Sequence, residues 1–225
     1  MQGQRLAVPA YFPLGEQWTL MASYTPPAAL AIMNPDNGPG EARMDGYEET
    51  LASAQAAGIA LAGYVDTCYG NIPLRTVQQQ IDRYRAWYGI GSIFFDQAAN
   101  TANQLDYYRA LYNYVQARSG DPLQVILNPG VNVHEGYMQA CDIICTAEMD
   151  AATYLKRFPG NPSWAEDYEA TRFWHIVYGI SDKKIAHKVI AQSQRRHAGY
   201  LFITEQALPN PYGMLPDRAL WEGEI

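Results

Sequence analysis

Eight short apolar runs punctuate the sequence: RLAVPAYF (5–12), LAIMN (30–34), IALAGYVD (59–66), SIFFDQ (92–97), LQVILN (123–128), DIICTAE (142–148), RFWHIVYG (172–179) and YLFITE (200–205). Most are continuous and do not alternate with polar residues, the pattern of strands covered on both faces in a parallel sheet. Parallel neighbours need a crossover long enough for a helix, and the intervening segments supply it. GEARMDGYEETLASAQAAG closes on Gly58 at a C-cap position, and LRTVQQQIDRYRAWYG sets Val77, Ile81, Tyr84 and Tyr88 on one face. ANQLDYYRALYNYVQARSG carries a stripe of Leu105, Tyr108, Leu111, Tyr112 and Val115 and stops at Gly120. SDKKIAHKVIAQSQRRHAG starts from Ser181 as its N-cap and ends through His197 and Gly199. Between the first two runs, Pro26 and Pro27 cut any helix short. Eight strands alternating with helices in 225 residues predict an α/β fold, a single (β/α)8 TIM barrel over residues 1–225. An open doubly wound sheet is the competing arrangement, but no glycine-rich phosphate loop follows the first run to favour its nucleotide-binding form.

In such a barrel the chemistry sits at the C-terminal ends of the strands, where the βα loops converge above a packed interior. The residues that finish the runs are Tyr11, Asn34, Asp66, Asp96, Asn128, Glu148, Tyr178 and Glu205. A carboxylate ending an apolar run is costly to desolvate unless it is paired, hydrogen-bonded or open to a wet cleft. Asp96 also fits an N-cap, and Asp66, before the turn TCYGN, reads as structural. Glu is a poor cap, and Asp150 is the better one for the helix behind the sixth run, which leaves Glu148 for a site. Glu205, before QALPNP, suits either role.

Other chemistries lack their residues. His134, His175, His187 and His197 are scattered with no H-x-H or H-E-x-x-H spacing, and no G-x-S-x-G elbow is present. Neither a metal nor a cofactor is expected. Cys68, Cys141 and Cys145 are odd in number and read as reduced, mostly buried thiols. A net charge of −7 argues against a nucleic-acid partner, and the basic knots SDKKIAHK and QRRH read as a solvated helix face. No apolar stretch approaches the ~18 residues of a membrane span. MQGQRLAVPAYF lacks the shape of a signal peptide, so a soluble chain is expected, with no compartment or oligomeric state assigned.

Glycoside hydrolysis needs two carboxyl groups about the scissile bond, about 5–5.5 Å apart for retention and about 6.5–9.5 Å for inversion. Asp96 and Glu148 end the fourth and sixth runs, placed to face a sugar from different sides of the mouth. Seventeen Tyr and five Trp agree with a sugar-stacking cleft, although those at helical spacing pack the helices. Trp18, Tyr69, Trp164 and Tyr212 fall in loops and remain cleft candidates. Asp96 and Glu148 are therefore the catalytic candidates. Tyr11, Asn34, Tyr64, Tyr69, Gln97, Asn128, Tyr178, Glu205 and Tyr212 are the candidates for contact with a polysaccharide or oligosaccharide substrate.

VPAYFPLGEQW, IMNPDNGPG, GYVDTCYG, IDRYRAWYGIGSIFFD, LNPG with CDIICTAE downstream, and ITEQALPNPYGMLP together resemble the spherulation-specific (spherulin-4-like) family over residues 6–220. The resemblance implies a (β/α)8 barrel that cuts α-1,4-linked N-acetylgalactosamine within galactosamine-containing exopolysaccharide, without a metal. It also implies that Asp96, from an Asp-Glu pair closing the fourth strand, and Glu148, closing the sixth, are the essential acids. Three positions depart from the family pattern. Gln97 stands where the pair has its second acid, and an amide cannot hold charge or relay a proton at neutral pH. Glu205 stands where Asp is usual, and Tyr178 near a common His. The expected roles are Glu148 as general acid and Asp96 as nucleophile or oxocarbenium stabiliser, or the reverse. A barrel that binds polysaccharide without cutting it is the alternative that Gln97 raises.

Overall fold

Eight parallel strands close into a barrel in chain order in this computed structural model, which describes residues 3–117 and 123–220. They are β1 (Arg5–Ala10), β2 (Leu30–Met33), β3 (Ala60–Asp66), β4 (Ser92–Asp96), β5 (Val125–Leu127), β6 (Ile143–Asp150), β7 (Phe173–Tyr178) and β8 (Tyr200–Ile203). β8 pairs back onto β1 through Arg5–Tyr200 and Leu6–Leu201, so no strand edge is left open. Six α-helices lie among the described residues: α1 (Glu16–Ala22), α2 (Tyr47–Ala56), α3 (Leu74–Tyr88), α4 (Leu105–Gln116), α5 (Ala151–Lys156) and α6 (Lys183–Arg195).

The apolar stripes do what their spacing requires. α3 buries Val77, Ile81 and Tyr84, and α4 buries Tyr108, Leu111 and Val115. Gly63 in β3 has no Cβ because the Tyr84 ring occupies that space, with ring carbons 2.6 Å from where a Cβ would stand. Asp150 caps α5 by accepting from the Thr153 N–H. The expected cap of α6 moves by one residue: Asp182, not Ser181, accepts the Ile185 N–H, and the Ser181 hydroxyl donates to Asp182 in turn. A carboxylate is the stronger acceptor at the positive end of a helix, and the hydroxyl is left to support it. Between β5 and β6 the chain makes only a 3₁₀ turn, Glu135–Gln139, because Pro129, Gly130 and Gly136 interrupt that segment. The predicted stop at Gly120 lies outside the described residues. None of the described helices is long and apolar enough to cross a membrane.

Register sets the levels inside the barrel. Tyr64 is level with Phe94, and Phe94 with Ile126, so one pleat higher Asp66, Asp96 and Asn128 follow around the mouth. The Phe94 and Trp174 rings meet at 5.7 Å although β4 and β7 are not neighbours, so the contact crosses the interior and floors the mouth. β6 carries one extra residue: Cys145 is level with Trp174, Ala147 with His175 and Glu148 with Ile176, leaving Thr146 unpaired in a bulge. Trp174 and Ile176 share the inward face, so Cys145 and Glu148 do as well. Without the bulge, residues three apart would face opposite ways.

Candidate active site

Asp96 is the last residue of β4, and the chain turns immediately behind it. Gln97 takes a left-handed conformation, φ 46°, and its carbonyl accepts from the Tyr69 N–H and the Thr67 hydroxyl at 2.7 and 3.0 Å. Behind the turn, the buried Tyr108 hydroxyl bonds the Thr67 hydroxyl and accepts the Ala99 N–H, both at 2.9 Å. This clamp releases the alternation of the strand. Asp96 faces the mouth, half-buried, while the Gln97 side chain stands exposed at the rim. Asn128 follows β5 by one residue and is held by its own N–H on Phe95 O and by its carbonyl on the Ala98 N–H.

The Asn128 amide nitrogen donates to both acids, to Asp96 Oδ1 at 2.7 Å and to Glu148 Oε2 at 2.6 Å. Two bonds from one nitrogen hold the two oxygens within about 5 Å of each other. The outer oxygens take phenolic donors: Tyr64 O–H bonds Asp96 Oδ2 at 2.9 Å, and Tyr212 O–H bonds Glu148 Oε1. Tyr11 packs edge-on between the Tyr64 and Tyr212 rings, 5.4 and 5.5 Å from them. Gly130, φ 65°, passes close beside Glu148 and accepts its N–H; a Cβ there would stand 3.3 Å from the Glu148 Cβ. Asn128 Oδ1 is buried and takes no hydrogen bond from any described residue, the sort of cost a functional site carries.

The electrostatics follow from enclosure. Burial, then the charge of Glu148, push the Asp96 carboxyl up to about 6, against the opposing hydrogen bonds from Tyr64, Asn128 and the Gln97 backbone. Tyr11, Tyr64 and Tyr212 are all driven well above the ordinary phenol value, first by burial and then by the nearby acids, so they stay protonated as donors. Near pH 6 the Asp96 carboxyl is therefore poised between its protonated and charged forms, which suits a group that gives or takes a proton during bond cleavage.

The remaining candidates occupy different places. The Asn34 side chain accepts the Gly38 N–H at 2.8 Å and shapes the NPDNGPG loop. Tyr69 is exposed at the rim, and Tyr178, half-buried at the end of β7, lies in the field of Asp150 and Glu148. Glu205 is exposed and sits outside the carboxylate cluster, its carboxylate accepting the Asp217 N–H at 3.3 Å. Asp66 accepts the Cys68 N–H in a local turn. Trp18 is buried in α1 against Phe12, and Trp164 packs on Tyr168 and Phe173, so neither lines the mouth. Cys141 and Cys145 are buried free thiols and Cys68 an exposed one. Thr67 and Tyr108, which hold the turn at Gln97, escaped the sequence reading: Tyr108 sits on a helical stripe, and nothing in that spacing reports what its hydroxyl binds.

The fold and site together define a closed (β/α)8-barrel protein with an amide-bridged carboxylate pair at the C-terminal mouth. The chain belongs to spherulation-specific family 4, whose model matches residues 5–224. It is 35% identical over 156 residues to Spherulin-4 of Physarum polycephalum, covering 68% of this chain and 46% of that protein, so it spans just under half the length of this curated relative. Among solved structures it resembles Sph3 of Aspergillus clavatus in complex with GalNAc, with a TM-score of 0.80 and 24% identity over 96% of this chain and 94% of that one. It also resembles active domain 2 of a thermostable chitinase from Pyrococcus furiosus, complexed with chito-oligosaccharides, with a TM-score of 0.59 and 13% identity over 96% and 92% of the two chains. These two likenesses establish the barrel.

Proposed function

We propose that this chain is an endo-acting glycoside hydrolase for a polysaccharide containing α-1,4-linked galactosamine or N-acetylgalactosamine. The observation that carries the proposal is the single Asn128 nitrogen bonded to both Asp96 and Glu148. Family membership and the GalNAc held by Sph3 favour an amino sugar as the ligand.

Asp96, whose carboxyl is pushed up to about 6, serves in this reading as the general acid and protonates the departing glycosidic oxygen. Glu148 is then the group that attacks or shields the anomeric carbon. This is the second of the two assignments the sequence left open. The short span enforced by Asn128 matches the close carboxyl spacing of retaining enzymes better than the wider spacing that admits a water between them. Tyr64 and Tyr212 donate to the carboxylates and keep their outer oxygens aimed across the mouth.

Incubation with a galactosamine-rich polymer tests the reading by the appearance of new reducing ends, which Asp96→Asn and Glu148→Gln each abolish. Full activity in either variant removes that residue from the mechanism. A second reading, a barrel that binds polysaccharide without cutting it, draws on the exposed neutral amide of Gln97 at the rim. It predicts oligosaccharide affinity with no new reducing ends over long incubation.

A further inference from the structure

Behind the barrel wall, on the side away from the carboxylates, a chain of buried polar groups ends on the bulge of β6. The Thr146 hydroxyl donates to Asn161 Oδ1 at 2.6 Å. The same oxygen lies 3.2 Å from His175 Nε2, and His175 Nδ1 lies 2.7 Å from the Tyr154 hydroxyl. Thr146 and His175 are completely buried. An amide oxygen only accepts, so His175 carries its proton on Nε2, and Nδ1 accepts from Tyr154. The imidazole stays neutral, because burial and then the charge of Arg196 hold it far below its usual value, down to about 3. The far end is pinned by Arg196, whose guanidinium covers the Tyr154 ring at 4.6 Å and donates to the Tyr154 carbonyl at 2.7 Å.

Between Ile144 and Asp150, Thr146 is the one residue of β6 with no partner on β7. Its insertion is what returns Glu148 to the inward face, where regular alternation from Cys145 would have turned Ala147 inward and Glu148 toward the helices. We infer that Thr146, Asn161, His175 and Tyr154 form a positioning relay that locks the bulge and thereby aims Glu148 at Asp96. Thr146 is the positioning residue at its tip; none of the four touches substrate. The inference rests on the proposed hydrolase reading for its kinetic arm only.

Thr146→Val removes the hydroxyl at nearly constant volume, and Thr146→Ser keeps it. The expected result is a cooperative melt for both, a 10- to 100-fold fall in kcat with KM within about twofold for Val, and near wild-type kcat for Ser. Tyr154→Phe, which leaves β6 untouched, gives a smaller fall in the same direction and serves if the Val variant does not fold. A second arm needs no turnover: the Asp96 carboxyl, followed by ¹³C NMR against pH, titrates lower in Thr146→Val because the Glu148 charge has left its side. An unmoved Asp96 titration, or equal kcat in the Val and Ser variants, overturns the relay. If the wild-type chain releases no reducing ends, the hydrolase reading fails and the titration alone decides the relay.

Discussion

Asp96 and Glu148 are joined through one donor, the Asn128 amide nitrogen, over bonds of 2.7 and 2.6 Å. Two like charges so close repel, and a shared N–H pair offsets part of that cost while holding their separation. Asp96 is thus poised to take up or release a proton near pH 6.

Removing the bridge shifts that balance. Hydrogen bonds to a carboxylate favour its charged form, so Asn128→Ala raises the proton affinity of Asp96 above its value of about 6. The ¹³C titration of Asp96 moves upward by about half a unit to one unit. A downward movement contradicts the bridging role.

Asp96 also costs the fold stability at neutral pH. Its carboxyl titrates near 6 in the fold against an unperturbed 3.8, so between those values the native chain binds more protons than the unfolded one. Its contribution is greatest below pH 3.8 and is lost as the pH rises through 6. Asp96→Asn is therefore more stable than wild type at pH 8 by up to about 3 kcal/mol, with the advantage gone near pH 4. Urea melts at the two pH values measure it, and a variant less stable at pH 8 refutes the sign.

Gln97 stands at the rim, outside the bridged pair. Gln97→Glu adds an exposed charge next to the mouth, so KM for a cationic galactosamine oligomer falls while kcat changes less than about threefold. A large gain in kcat instead makes residue 97 part of the chemistry and gives the binding-barrel reading for the unsubstituted chain the advantage.

Cys68 is the exposed thiol, while Cys141 and Cys145 are buried, with burial raising both thiols above the ordinary value. Reaction with a disulfide reagent titrates one thiol in the native chain and three on unfolding. Two or more fast thiols in the native chain contradict the packing around β6.

Much of this was legible in the residues themselves. The continuous runs of β3, β4 and β7 mark strands buried on both sides. The stripes of α3 and α4 name the faces they bury, Asp150 announces its cap, and Asp96 and Glu148 stand out as acids that apolar runs deliver to the mouth. Such signals are local: strand and helix periods and caps depend on neighbours a few residues away. What the tertiary structure alone decided is how these ends meet. Asn128 bonds both acids, Tyr212 arrives from the tail to cap Glu148, Glu205 drops out of the cluster onto the Asp217 backbone, and one inserted residue at Thr146 turns Glu148 inward. Those distances and facings come from closing eight strands on one another, where register between segments far apart in the chain, and not the order of side chains along any one of them, determines what touches.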